Sequence, residues 1–316
     1  MNLTDAYNAF IFSRDAFCSD DTVRNYKNTI RYFCDFVSRY LERDSDDIDV
    51  NEITLLHLNE YSIYLKTKVK NEGHPYFPQT SELVSSRTRK SYLTDMKTFI
   101  GFLREENYID ENILARFRMP RAAGKVIEPL TVQEVNRIDD VFRKNKEYGT
   151  RDIAIVHLLL DEGLRSSEVR KLQLKDVNFE KKCIIIRDSK FNKNRVLPLA
   201  ECAYNCLKEY VEYKRPEVVH DYVFCMIDEK PLTKDSIKSM FDRLKKSAKI
   251  PRLYPHLLRH TFGTSFVLGG GSIEILKHYM GHADIKTTEN YLHVANNFRF
   301  CEDVYRLDEV FRKKFY

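Results

Sequence analysis

The 316 residues are enough for two domains of ordinary size, each with its own hydrophobic core. Charged residues make up 31% and hydrophobic residues 43% of the chain, which excludes collagen-like, prion-like and disulfide-scaffold proteins. The net charge of +5 is unevenly distributed, because residues 1–120 contain 16 basic and 19 acidic side chains and residues 121–316 contain 36 and 28. The second part has the basic bias of a protein that meets a polyanion, although an ordinary solvated surface explains the charge alone equally well.

Neither a membrane segment nor a disulfide framework is predicted. The longest apolar run, IAIVHLLL at 153–160, is far shorter than the roughly 20 residues of a membrane span and predicts a buried helix. The first 15 residues lack the pattern of a secretory signal. The seven cysteines are an odd number without a C-x-x-C pair, which argues against a zinc knuckle. We expect a cytoplasmic protein with reduced thiols and no membrane partner.

Residues 1–118 predict a compact helical domain that begins by about residue 20. Apolar side chains recur there every three or four positions, which is the period of an amphipathic helix. The predicted helices are residues 19–41, with Ser19 or Asp20 as N-cap, residues 53–69 and residues 85–109. Residues 71–85, rich in proline, glycine and serine, predict a loop.

Residues 119–129 predict an extended basic linker, because RMPRAAGKVIEPL contains two prolines and a glycine and has no helical period. The second predicted domain is 130–316. Thr131 and Glu134 have the spacing of a capping box, so a helix should start directly after the linker. Further on, DVNFE, CIIIRD and RVLPL predict a small antiparallel sheet between helices. The expected fold class is mainly α with a small antiparallel β-sheet.

The stretch YPHLLRHTFGTSF places His256 and Arg259 three residues apart. On a helix this spacing puts both side chains on one face, close enough to hold one small anion. Pro255 suits a first helical turn, where free amide groups also favour negative charge. Taken alone, the motif is more typical of a surface helix that carries a few basic residues.

Three further stretches carry candidate site residues. EGLRSSEV places Arg165 at the start of a helix, where its guanidinium suits two phosphate oxygens, although a single arginine there is more often salt-bridged. SKFNKNRVLPL holds Lys190 in a turn between strands, a position that is usually only solvated. MGHADIKTTENYLHV contains His282 and, nine residues later, Tyr291 on a predicted helix.

The four stretches, in this order and with these spacings, resemble the tyrosine recombinase (phage integrase) family. The resemblance spans about residues 130–295 and extends more weakly to the first domain, which is similar to the family's helical core-binding domain. The family often has glycines beside the hairpin lysine, whereas Ser189 and Phe191 flank Lys190. Lys193 therefore stays an alternative to Lys190.

The resemblance implies that DNA strands are cut and rejoined through a covalent 3′-phosphotyrosine, without metal or nucleotide cofactor. The implied roles are Tyr291 as nucleophile, Lys190 as general acid, Arg165 and Arg259 as holders of the non-bridging oxygens, His256 as an acceptor of the tyrosine proton, and His282 as a phosphate hydrogen-bond donor or an orienting group. We expect Glu168 to orient Arg165, and His260 and His293 to be structural.

The resemblance also implies a two-domain clamp on double-stranded DNA, with a helical core-binding domain and an α+β catalytic domain. Four protomers would join two recombination sites through a Holliday junction. Residues 300–316 would dock onto a neighbouring subunit, and an accessory DNA-bending or excision factor is a possible further partner. We expect integration or excision of a mobile element. The alternatives are a chromosome or plasmid resolution recombinase, a type IB topoisomerase-like enzyme and a non-catalytic DNA-binding protein.

Overall fold

The computed structural model describes residues 1–72, 78–120, 127–144, 149–187, 194–226, 228–282 and 284–296. These residues are mainly helical and include one small antiparallel sheet, which confirms the predicted fold class. The chain divides into two compact units, Met1–Lys125 and Val126–Tyr316. Most of the predicted linker, 121–126, lies outside the described residues, so its extended form stays a prediction.

Unit 1 is a helical domain with an aromatic core. Its helices are α1 (Leu3–Asp15), α2 (Asp20–Leu41), α3 (Leu55–Thr67) and α4 (Ser86–Glu105). Helix α1 was not predicted, although Leu3, Ala6 and Phe10 have helical spacing and are fully buried. The Phe10 ring meets the rings of Tyr26 and Phe99 edge-on, at 5.3 Å in both cases. Helix α1 thus packs against the apolar faces of α2 and α4 and completes the core of unit 1.

Unit 2 contains most of the helices and the sheet. Its helices are α5 (Val132–Lys144), α6 (Thr150–Leu160), α7 (Ser166–Lys171), α8 (Glu201–Glu209), α9 (Lys234–Ser247), α10 (Pro255–Leu268), α11 (Ile273–Met280) and α12 (residues 285–296). The predicted capping box of α5 is confirmed, because Thr131 N–H donates to Glu134 at 2.9 Å and Glu134 N–H donates to Thr131 at 3.2 Å. Among the described residues no helix is long and apolar enough to cross a membrane.

The sheet has three antiparallel strands in the order β1 (Val177–Asn178), β2 (Cys183–Ile186) and β3 (Arg195–Pro198). Ile184 pairs with Leu197 and Ile186 pairs with Arg195. Successive side chains of a strand point to opposite faces, and on β3 the exposed Val196 separates the buried Arg195 and Leu197. This alternation turns the guanidinium of Arg195 toward the interior of unit 2.

Candidate active site

Arg165 stands where a turn meets α7, and Glu168 holds it from two sides. Arg165 is the N-cap residue of α7, and its backbone N–H donates to Glu168 Oε2 at 2.7 Å. Its Nη1 donates to the other carboxylate oxygen, Oε1, at 2.9 Å. Glu168 therefore fixes both the backbone and the guanidinium of Arg165, which is the contact expected of an orienting residue.

Arg259 lies in α10 and is only 1% exposed. Its Nη1 donates to the carbonyl of Gly163 at 2.6 Å, and the carboxylate of Glu168 lies 3.8 Å from the same nitrogen. Its Nε is buried and has no hydrogen-bond partner within the described part of the chain. Burial, followed by the charge of Arg165, lowers the pKa of Arg259 to about 10, so this guanidinium stays protonated at neutral pH.

A third arginine, Arg195, belongs to the same cluster and was missed in the sequence. It is 4% exposed, and its Nη2 donates to Glu168 Oε2 at 2.9 Å. The alternation of RVLPL places Arg195 on the same strand face as Leu197, which is the signal that could have identified it. Burial raises the pKa of Glu168, but the hydrogen bond and charge of Arg195, with those of its other partners, outweigh this and keep the pKa low.

The C-terminus of α11 gives each of the three arginines a backbone acceptor. Three consecutive carbonyl groups accept these hydrogen bonds. Tyr279 O accepts from Arg195 Nε at 2.8 Å, and Met280 O accepts from Arg259 Nη2 at 2.6 Å. Gly281 O accepts from Arg165 Nη2 at 2.8 Å. The last carbonyls of a helix lack intrahelical partners and carry its negative dipole end, so they suit cations.

Gly281 is the C-cap of α11, and its lack of a side chain lets Arg195 and Arg165 approach. Its φ of 62° lies in the left-handed region, which favours glycine. A Cβ at this position would lie 2.8 Å from Arg195 Nη1 and 3.4 Å from Arg165 Nη1. The glycine is therefore required both by the backbone and by the close packing of the guanidinium groups.

His282 follows this turn and contacts Arg259. Its Nε2 lies 3.0 Å from Arg259 Nη2, and its Nδ1 lies 2.9 Å from Thr288 Oγ1. Burial, followed by the charges of Arg259 and Arg165, lowers the pKa of His282 to about 3. The imidazole is thus neutral across the physiological range.

Tyr291 lies on α12 with its ring inside the same cluster, 4% exposed. Its ring is parallel to that of His282 within 7°, with centroids 6.1 Å apart, and packs against Gly263 of α10. Burial raises the pKa of Tyr291, while the charges of Arg259 and Arg165 oppose this increase. A phenol from α12 and the arginines therefore meet within one chain.

The remaining predicted residues differ in their exposure to solvent. His256 occupies the exposed first turn of α10, after Pro255, and its charge helps to lower the pKa of His282. His260 is buried and donates from Nε2 to Ile127 O at 2.6 Å, and its structural role stays a prediction. His293, by contrast, is exposed on α12. Lys190, its alternative Lys193, and the tail at 300–316 lie outside the described residues.

The arrangement is suited to binding an oxyanion. Three guanidinium groups surround one carboxylate, which gives the cluster of Arg165, Arg195, Arg259 and Glu168 a formal charge of about +2 at neutral pH. Arginine forks match the oxygens of a phosphate. Within the described ranges, no group of three or more histidine, cysteine, aspartate or glutamate side chains is placed to hold a metal ion.

Comparison with known proteins gives a match across both units. The model of the phage integrase family matches residues 128–297, and that of the phage integrase SAM-like domain matches residues 2–119. The chain belongs to the phage integrase family. It is a tyrosine recombinase, a site-specific DNA recombinase.

Relatives and solved structures match over nearly the whole chain. A tyrosine recombinase of Thermosipho africanus is 27% identical over 286 residues, covering 89% of this chain and 92% of the relative. Tyrosine recombinase XerD of Listeria innocua is 26% identical over 296 residues, covering 91% and 92%. The solved structure of the Tn1549 transposon integrase in complex with a circular intermediate DNA has a TM-score of 0.73 at 22% identity, covering 92% of this chain and 95% of that one. This last likeness concerns the fold.

Proposed function

We propose that this recombinase cuts and rejoins double-stranded DNA through a covalent 3′-phosphotyrosine on Tyr291. The observation that carries the proposal is the phenol of Tyr291, buried beside Arg259 and Arg165 of its own chain. The phenolic oxygen attacks the scissile phosphorus, the bond to the 5′ oxygen breaks, and a 5′-hydroxyl leaves. Attack by another 5′-hydroxyl on the phosphotyrosine rejoins a strand, so the bond energy is conserved and ATP is not required.

Arg165 and Arg259 bind the two non-bridging oxygens in this proposal. The hydrogen bonds described above do not use the Nε–H of Arg259 or its second Nη1 hydrogen, so these two donors can bind an oxygen. The side chain of Arg165 is 35% exposed and can be reached by a ligand. Negative charge grows on these oxygens in the transition state, where fixed donors stabilise it most. Loss of one such donor typically costs about 3 kcal/mol, or a hundredfold or more in rate.

Proton transfers need two further groups. A buried phenol whose pKa is raised is a poor nucleophile until a base removes its proton, and His256, at the exposed end of α10, is the base we propose. Lys190 is the proposed general acid for the leaving 5′ oxygen. His282 either donates a hydrogen bond to the phosphate or orients the site.

The nucleophile assignment can be tested by trapping the covalent intermediate. A nicked suicide substrate that carries the recombination site of the protein's own element should form a covalent protein–DNA adduct. Tyr291→Phe should abolish the adduct and leave DNA binding intact, whereas Tyr254→Phe, a change in the exposed N-cap residue of α10, should not affect it. An adduct formed by the Tyr291 variant would refute the assignment.

The general acid can be tested with a second substrate in which sulfur replaces the 5′ bridging oxygen. A thiolate leaves without protonation, so the substrate should restore cleavage by a variant that lacks the acid. We expect restoration for Lys190→Ala, with Lys193→Ala close to wild type on both substrates. The reverse result would assign the role to Lys193.

A basic groove in unit 1 is the surface we propose for contact with the DNA backbone. Its volume is about 210 Å³, and its lining is Ser62, Lys66, Ser86, Arg89, Lys90, Leu93 and Pro120. Unit 1 as a whole is slightly acidic, so this local concentration of positive charge is distinctive. The test is to change Lys66, Arg89 and Lys90 to alanine and to measure DNA affinity at several salt concentrations. The slope of log K against log salt concentration should become shallower by roughly 0.9 for each phosphate contact that is lost. An unchanged salt slope would remove the groove from the interface.

For the biological role we propose integration or excision of a mobile element, carried out by four protomers on two DNA sites. The fold likeness to a transposon integrase supports this role, and chromosome or plasmid resolution is the alternative. A recombination assay separates them. Joining of the two ends that flank the gene would support a mobile element, and resolution of a plasmid dimer alone would support the alternative.

A further inference from the structure

The imidazole of His260 lies between the end of the predicted linker and the ring of the proposed nucleophile. Its Nε2 donates to the carbonyl of Ile127 at 2.6 Å. Its ring packs against that of Tyr291, with centroids 5.0 Å apart and planes inclined by 40°. His260 and Tyr291 are 7% and 4% exposed, so the contact between their rings is shielded from water. One buried side chain therefore contacts both the linker and the tyrosine.

The ring of Tyr291 is held against helix α10 at two points. His260 and Gly263 are three residues apart in α10 and so lie on one face of it. At Gly263 the ring lies against the helix backbone, because a Cβ there would be 2.8 Å from its Cε1. At His260 it meets a side chain, which has two rotatable bonds. The hydrogen bond to Ile127 restricts both, since a rotated imidazole would leave a buried N–H without an acceptor.

The segment that accepts this hydrogen bond, residues 127–130, is itself held beside α10. The backbone N–H of Leu130 donates to Thr261 Oγ1 at 2.9 Å. Arg252, which precedes α10, donates to the carbonyl groups of residues 128 and 129 at 2.6 and 3.0 Å. Hydrogen bonds from two directions therefore fix the end of the predicted linker on unit 2.

We propose that His260 is a positioning residue that fixes the ring of Tyr291 for attack, and that the end of the linker fixes His260 through the carbonyl of Ile127. The proposal rests on the proposed function, in which Tyr291 is the nucleophile. Its consequence is that a displacement of the linker reaches the nucleophile through one hydrogen bond and one ring contact.

Three variants separate the two contacts of His260 from general loosening of α10. His260→Gln keeps an N–H donor for Ile127 O and removes the ring that packs on Tyr291. His260→Phe keeps a ring and removes the donor. Thr261→Val is the matched control, because it breaks the neighbouring hydrogen bond, to the N–H of Leu130, and leaves the imidazole in place.

The main readout is the single-turnover rate of suicide-substrate cleavage at saturating DNA, beside DNA affinity and a thermal unfolding curve. We expect both His260 variants to cleave roughly ten- to a hundredfold more slowly with unchanged DNA affinity, because displacements near 1 Å can cost this much. Thr261→Val should unfold at a lower temperature, since it leaves an N–H unpaired, and should cleave within about twofold of the wild-type rate. Lower stability with a normal rate is the result that a merely structural role of His260 would also give.

Histidine nitrogen NMR of the wild type tests the linker contact without any substitution. Burial lowers the pKa of His260, so its ring carries one proton at neutral pH, and a carbonyl acceptor requires that proton on Nε2. A bare Nε2 would overturn the linker contact, as would wild-type cleavage by His260→Phe. If the phenylalanine variant does not fold, the spectrum still decides this point.

Wild-type cleavage by His260→Gln would overturn the role of the ring. An equal loss of rate in Thr261→Val would also contradict the proposal, because it would assign the effect to the whole segment. If the wild type formed no covalent adduct at all, the proposed function itself would fail, and the His260 spectrum would be unaffected by that result.

Discussion

Replacing Gly263 with alanine tests the position of the Tyr291 ring without altering any polar group of the site. The change should favour helix α10 itself, since alanine is better than glycine in a helix by about 1 kcal/mol. However, the new Cβ would lie 2.8 Å from Cε1 and 2.9 Å from Cδ1 and Cζ of Tyr291. Ordinary contact begins at 3.4 Å, so the ring or its helix must move by at least about 0.6 Å.

We expect Gly263→Ala to remain folded and to form the covalent adduct roughly a hundredfold more slowly, because displacements near 1 Å can cost this much. The assay is the single-turnover rate of adduct formation at saturating substrate, beside a thermal unfolding curve. Gly101→Ala in α4, whose Cβ would meet only Leu114 at 3.9 Å, is the control and should cleave at the wild-type rate. Wild-type cleavage by Gly263→Ala would refute the inferred position of the nucleophile.

Two further predictions concern the stability of unit 2. Gly281→Ala should lower the melting temperature, because it adds backbone strain of about 1–2 kcal/mol and a clash with Arg195. Gly270→Ala is the control, since Gly270 has a φ of 90° but open space around it, and this change should add backbone strain alone. Burial raises the pKa of Glu162 to about 7, above its unfolded value, so the stability it contributes is lost as pH rises from 5 to 8. Glu162→Gln should therefore flatten the decrease in melting temperature over that range, and an unchanged slope would contradict the assignment.

The helices and the sheet were predictable because their signals are local. The apolar stripes of α2 and α4, the capping box at Thr131 and the three β-rich segments each depend on residues close together in sequence. Helix α1 was missed even though Leu3, Ala6 and Phe10 have the same period, since a short helix with a weak stripe is stabilised by tertiary packing.

The site was only partly predictable because its contacts join distant parts of the chain. Motif order predicted Arg165, Arg259 and Tyr291, which the structure brings together, but it gave no reason to prefer Arg195 over Arg187, which follows another strand of the same sheet. In the structure Arg187 pairs with Asp176 at the surface, while Arg195 bonds Glu168, 27 residues away. Which partner an arginine finds depends on the fold that surrounds it.

The electrostatic balance of the site explains why its negative partners are so few. Moving the pKa of Arg259 from 12.5 to about 10 corresponds to roughly 3 kcal/mol against its charged form. This is the balance that remains after the charge of one carboxylate, Glu168, has already offset part of the cost of burial. A second carboxylate would neutralise the cluster and compete with a phosphate for the same N–H groups. Because backbone carbonyls orient the arginines without adding a full negative charge, the cluster keeps the positive charge that the proposed mechanism requires at the scissile phosphate.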